Sequence, residues 1–291
     1  MGGGSWTSAV YNTYTTATRG MSAVNYASCD HLHVQEAFKA RRLHQDLNPR
    51  GIMRECLDTE EHPNTIPVIL ALDVTGSMGS AATQVSKKLG QIMEEIYSSD
   101  SVRDVEFCIM AIGDLYCDDA PVQISQFESD IRIAEHLDKV WFESGGGTNA
   151  WESYTAAWYM GMNHCKLDCW KRGKRGIIIT MGDERLNPYL QKNGLAQFIG
   201  DNVQADVETA ELYSQASQKF DIHHISVDDP ASSYSRYNAN GGIDMSWALL
   251  GENYHVSSVN GLQNMIASII TSHAETECES APDSPVNEIS W

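Results

Sequence analysis

The chain lacks any apolar run near the ~18 residues that a membrane-spanning helix needs, so no membrane span is expected. It is poor in basic charge: 20 Lys and Arg stand against 39 Asp and Glu, a net charge of −19. A field of that sign repels nucleic acid and anionic membrane, and it attracts cations and basic surfaces. Cysteine is too sparse and irregular for a disulfide framework. The seven, at positions 29, 56, 108, 117, 165, 169 and 278, are odd in number. No second pair completes a zinc set with Cys165 and Cys169. Reduced thiols in a cytoplasm-like compartment are the expectation. The stretch Met1 to Trp6 has no apolar core of a secretory signal, and Trp6 stands where a myristoylation motif wants Ser or Thr. No nucleotide-binding fingerprint and no paired acid and base for catalysis stand out.

What is present suits a large α/β core. Hydrophobic residues make up 42% of the 291, enough to bury one substantial sheet. Residues 1–64 show no sustained period and read as an N-terminal extension or arm, with one short helix near Leu32 to Leu43 before the turn Asn48-Pro49-Arg50-Gly51. Residues 65–273 alternate strands and helices. Continuous apolar runs at Pro67 to Asp73, Val105 to Ile112 and Gly176 to Thr180 suit parallel strands buried on both faces. Val85, Leu89, Ile92, Met93 and Ile96 recur at helical spacing. Val122 to Phe127 follows a polar turn and reads as an antiparallel edge strand. Asp221 to Val227 and Tyr254 to Ser257 complete the strands. Helices are expected at Ser129 to Leu137, from Asn149 to about Cys165, over much of Pro188 to Phe220 with a break near Gly200-Asp201, and at Gly261 to Ile270. Residues 274–291 form an acidic C-terminal tail. The fold class is therefore α/β: a doubly wound, mainly parallel sheet with one antiparallel edge strand and helices on both faces.

In such sheets ligands bind beyond the carboxyl ends of the strands, at the switch point of strand order. Three loops there carry oxygen donors. Asp73-Val74-Thr75-Gly76-Ser77 alternates an acid and two hydroxyls, so three oxygens can converge. Gly147-Thr148-Asn149 offers a hydroxyl just before a helix start, and Met181-Gly182-Asp183-Glu184 offers acids after a buried strand. Oxygen ligands of mixed charge suit a hard cation such as Mg²⁺ or Ca²⁺.

The segment DVTGSMG at 73–79 resembles the Asp-x-Ser-x-Ser element of the metal-ion-dependent adhesion site in von Willebrand factor A (VWA) and integrin I-like domains, with Thr for the first Ser. GGGTN at 145–149 is similar to that family's threonine loop, and ITMGDE at 179–184 to its second aspartate loop, although Met181-Gly182 separates Thr180 from Asp183. The resemblance spans about residues 65–272 and points to prokaryotic or phage-type members. It implies that Thr75 and Ser77 ligate Mg²⁺ (or Mn²⁺ or Ca²⁺) directly, that Thr148 does so directly or through water, and that Asp73 and Asp183 act largely through bound waters. It implies no enzymatic activity. The implied partner is a protein donating a Glu or Asp to the metal, with neither nucleic acid nor membrane involved. The implied setting is a larger assembly, cytoplasmic or within a virus particle.

Plainer readings stand beside these. Asp73 could cap the next helix, Thr148 could be a turn residue, and Asp183 could pair with Arg185 or Lys174 at the surface. His31, His33, His223 and His224 read as structural or solvated, Lys171 to Arg175 as a solvated turn, and Trp151, Tyr154, Trp158 and Tyr159 as core. Asp114, Asp118 and Asp119 could hold a second cation. Two further functions remain open: a structural component joined through its arm and tail, with a secondary metal site, and an aspartyl-phosphate phosphatase with Asp73 as nucleophile. The second lacks a well-placed lysine and a second Asp pair.

Overall fold

The computed structural model describes residues 4–98, 102, 104–145, 151–228 and 245–279. Six strands form the central sheet: β1 (Ile66–Asp73), β2 (Val105–Ile112), β3 (Val122–Ile124), β4 (Gly176–Gly182), β5 (Phe220–Asp228) and β6 (Tyr254–Ser258). Their spatial order is β6-β5-β4-β1-β2-β3. Every pairing is parallel except β2 with β3. This is the doubly wound order, and it reverses between β1 and β4.

The apolar runs are continuous because helices cover both faces of the sheet. Val68, Leu70 and Leu72 of β1 point into a core shared with helix α4 (Gly79–Tyr97) and the last helix, α8 (Leu262–Glu279). Ile69 and Ala71 point the other way, toward α6 (Thr155–Asn163) and α7 (Thr209–Ala216). A polar residue at any of these strand positions would lie against a helix with no water to solvate it.

The N-terminal segment packs onto this frame. Helices α1 (Ser8–Arg19), α2 (Ala23–Ala27) and α3 (Val34–Ala37) lie against α4. Trp6, Tyr11, Phe38 and Leu47 are buried in the same core as Leu70 and Leu89. Arg19 pairs with Asp138 of α5 (Arg132–Lys139), and Tyr14 Oη donates to the same carboxylate at 2.8 Å. The sequence showed no period here because the buried residues come from several short elements. The helix expected near Leu32 to Leu43 shortens to α3 for the same reason.

The seat of α1 is tight at one point. A Cβ on Gly90 of α4 would collide with the Tyr11 ring. Gly90→Ala is therefore expected to lower stability by about 1–3 kcal/mol through overpacking, less the ~1 kcal/mol that Ala gains over Gly in a helix. Urea unfolding measures the net change. Limited proteolysis should show earlier cleavage within residues 6–20, and unchanged cleavage would mean that Tyr11 does not hold α1 in place.

Two expected helices differ. The one expected from Asn149, which lies outside the described residues, begins instead at Thr155. Trp151–Glu152 pairs in parallel with Arg185–Leu186. The backbone N–H of Thr155 donates to Asn187 Oδ1 at 3.1 Å, so a distant loop caps α6. The helix also stops at Asn163, because Cys165–Leu167 pairs with Arg54–Cys56. The stretch after Pro188 is only partly helical. Tyr189–Leu190 pairs with Val207–Glu208, and Gly200, at φ 99°, closes a turn over Leu195–Ile199. The left-handed conformation at Gly200 ends the helical path. The last helix runs past Ile270 to Glu279, and the rest of the acidic tail lies outside the described residues. Among the described residues no helix is long and apolar enough to cross a membrane.

Candidate metal centre

Asp73 closes β1, and Asp183 directly follows β4. Leu72 is in register with Met181, so the two carboxylates emerge side by side where the strand order reverses. Asp73 is fully buried and Asp183 nearly so. Asp73 Oδ1 accepts from the Thr75 backbone N–H at 2.8 Å and from Thr75 Oγ1 at 2.6 Å. That bond to the residue two ahead makes Asp73 a turn-former; the following helix α4 has no side-chain cap. Asp73 Oδ2 accepts from Tyr154 Oη at 2.7 Å. Ser77 Oγ donates to Asp183 Oδ1 at 2.8 Å, joining loops 106 residues apart. Asp183 is therefore an interior group.

Burial raises the Asp73 carboxyl above the usual carboxylate range, and the nearby charge of Asp183 raises it further. The donors Thr75 and Tyr154 only partly offset this. Two carboxylates and two hydroxyls thus occupy one small, poorly solvated space. Among the described residues no group of three or more His, Cys, Asp or Glu side chains could hold a metal. A cation here would instead use the hydroxyls of Thr75 and Ser77 with Asp73 and Asp183. That all-oxygen set fits a hard divalent ion and would relieve the repulsion between the acids.

The structure brings together four of the five candidate ligands: Asp73, Thr75, Ser77 and Asp183. Thr148 lies outside the described residues. Ser144 and Gly145 do meet the first loop, because Gly76 N–H donates to Gly145 O at 2.8 Å and Ser144 N–H to Val74 O at 3.3 Å. A Cβ on Gly76 would stand 3.3 Å from Ser144 O, so the close approach favours glycine.

Several residues of the site were not singled out from the sequence. Tyr154 is completely buried against the paired rings of His224 and Trp247, and its hydroxyl also accepts from the Glu184 backbone N–H at 3.2 Å. His224 stacks on Trp247 with ring centroids 3.6 Å apart, and its Nδ1 meets Thr180 Oγ1 at 2.9 Å. Glu152 sits at 5% exposure, where burial first and the charge of Asp73 next raise its carboxyl above the usual range. Nothing local marks Tyr154 or Glu152, since their roles come from β1 and β4 across the sheet.

The other sequence candidates have ordinary roles. Asp114 Oδ1 accepts from the Tyr116 N–H at 3.0 Å, and Asp118 Oδ2 accepts from the Asp114 N–H at 2.7 Å, so both carboxylates build the β2–β3 turn. His223 faces His255 (3.1 Å between ring nitrogens) and Asp221. In the basic cluster, Arg172 pairs with Asp58 and Lys171 with Asp168.

No protein family matches the sequence, and no curated protein matches it. Weak likenesses to solved structures exist. The chain is similar to the pilus adhesin SpaC from Lactobacillus rhamnosus GG in its open conformation, at 11% identity and TM-score 0.48, over 78% of this chain and 31% of that one. It is similar to the vWF domain of the type V pili tip protein Mfa5 from Porphyromonas gingivalis, at 11% identity and TM-score 0.44, over 72% of this chain and 94% of that one. It is also similar to proximal thread matrix protein 1 from the mussel byssus, at 12% identity and TM-score 0.40, over 74% of this chain and 48% of that one. The chain spans about a third of the adhesin's length. At these scores the likenesses carry no argument about the site or its use.

Proposed function

We propose that the chain is a VWA-type recognition domain. It takes a hard divalent cation, Mg²⁺ or alternatively Mn²⁺ or Ca²⁺, between Asp73, Thr75, Ser77 and Asp183, with Thr148 from the third loop. The cation's open position then receives a Glu or Asp from a partner protein. The observation that carries this reading is the Ser77–Asp183 contact at the strand-order reversal, with Asp73 buried beside it. So few carboxylates leave a bound cation electrophilic, which suits capture of an acidic side chain. Binding is favoured over phosphoryl transfer by the state of Asp73. Both its oxygens accept short hydrogen bonds, from Thr75 and Tyr154, an arrangement that orients a charge and does not present a nucleophile.

Calorimetric titration with Mg²⁺ and with Mn²⁺ tests the reading. The wild type is expected to bind with a dissociation constant of about a millimolar or tighter. Asp73→Ala, checked for retained fold by circular dichroism, should weaken binding by about a hundredfold. Equal titrations for the two proteins, or no heat from the wild type, would sink the proposal.

A further inference from the structure

The stretch that follows Asp183 is held by three separate segments of the chain. The Glu184 backbone N–H donates to Tyr154 Oη at 3.2 Å, and the Glu184 carbonyl accepts from Trp247 Nε1 at 3.2 Å. Two residues on, the Leu186 N–H donates to Ser246 Oγ at 3.1 Å, and Arg185–Leu186 pairs with Trp151–Glu152. Loops at strand ends are ordinarily the more mobile parts of a fold. Here both backbone groups of the residue after a candidate ligand are taken by buried aromatic side chains. Trp247 is suited to that task. An indole carries one donor and no acceptor, so its N–H goes to a carbonyl. Its ring is fixed: it is fully buried, stacks on His224 with centroids 3.6 Å apart, and lies 5.3 Å from the Tyr154 ring. Tyr154 in turn donates to Asp73, so one aromatic group reaches both acid-bearing loops.

We infer that Trp247, assisted by Ser246, is a positioning residue of the cation site: it fixes the backbone next to Asp183 and so keeps that carboxylate against Ser77. The inference rests on the cation-site reading above and adds a fourth segment to it, 63 residues beyond Glu184 and outside the three resembling loops. Trp247 acts through Glu184, not on the ion. With both backbone groups of Glu184 held, the direction in which the chain leaves Asp183 is set before any cation arrives. A loop already in its binding geometry loses less freedom on binding, and affinity rises by that saving.

Trp247→Phe keeps an aromatic ring in the stack and removes the donor to Glu184. In calorimetry with Mn²⁺ on the full chain, it should bind roughly tenfold more weakly than the wild type, as when a group that orients a metal ligand is lost. Trp170→Phe is the matched control. It too removes an indole N–H donated to a carbonyl, that of Lys219 at 3.1 Å, but at the opposite end of the sheet, just before β5 begins. Its affinity should equal that of the wild type. Ser246→Ala, which alters no ring, should also bind Mn²⁺ more weakly, and it carries the test if Trp247→Phe does not fold. Wild-type affinity in Trp247→Phe, or in Ser246→Ala where that variant stands alone, overturns the inference while leaving the cation site standing. An equal loss in Trp170→Phe overturns it as well, because affinity would then follow overall stability. A wild type that takes up no Mn²⁺ removes the cation site itself, and the inference with it.

Discussion

Gly182→Ala is expected to lower stability by about 3 kcal/mol and to weaken cation binding at the same time. Gly182 ends β4 and is buried against Tyr154. A Cβ there would overlap the Tyr154 hydroxyl. Overpacking of a dense interior costs about 1–3 kcal/mol, because the neighbours have nowhere to go. Tyr154 is fully buried against the stacked rings of His224 and Trp247, so its ring cannot yield without moving that stack. If the hydroxyl is displaced, Asp73 Oδ2 loses its donor and a buried carboxylate is left short of a hydrogen bond, a further loss of about 1–3 kcal/mol. The variant should melt on the order of 10 °C lower. It should also bind Mg²⁺ about tenfold or more weakly, as when a group that orients a metal ligand is removed. Tyr154→Phe by itself separates the causes, since it removes the hydroxyl and adds no clash, whereas the ring carbons that Phe keeps also lie against Gly182. An affinity loss in Tyr154→Phe as large as that in Gly182→Ala assigns the binding effect to the missing hydroxyl, and a smaller stability loss assigns the remainder to the steric clash. A Gly182→Ala protein as stable as the wild type would show that Tyr154 is not pinned.

The second large effect concerns the same layer. Trp158, on the sheet-facing side of α6, is fully buried and lies 5.6 Å from the Tyr213 ring. Truncation to Ala should cost about 3–5 kcal/mol, combining lost transfer energy with the cavity left behind. The indole Nε1 has no hydrogen-bond partner among the described residues, so Ala orphans no partner and the loss is one of packing. Trp158→Phe should therefore recover more than half of it. Urea unfolding of the two variants measures this. Equal losses in both would mean that a polar contact of the indole, not its volume, is what matters.

The sheet was legible because its signal is local and redundant. The central strands β1, β2 and β4 are largely continuous apolar runs, since helices cover both faces. They were thus visible one at a time, β5 and β6 showed as shorter runs broken by His and Ser, and α4 was visible from its period. The boundaries that failed are those set from a distance. The start of α6 depends on Asn187, and its end on Arg54–Cys56. The N-terminal helices bury single residues from several short pieces, which no periodic pattern records.

The site divides in the same way. By itself the sequence determined the donor chemistry of Asp73, Thr75 and Ser77, because an alternating acid and hydroxyl pattern within five residues needs only a turn to converge. It also placed Asp183 after a buried strand. Only the tertiary structure decided that Asp183 faces Ser77, that Tyr154 holds Asp73, and that Glu152 is buried with its Oε2 unpartnered among the described residues. Those facts arise from parallel strand register, which sets residues about a hundred positions apart side by side. Register is chosen by the packing of the whole sheet and leaves no mark on the residues it joins.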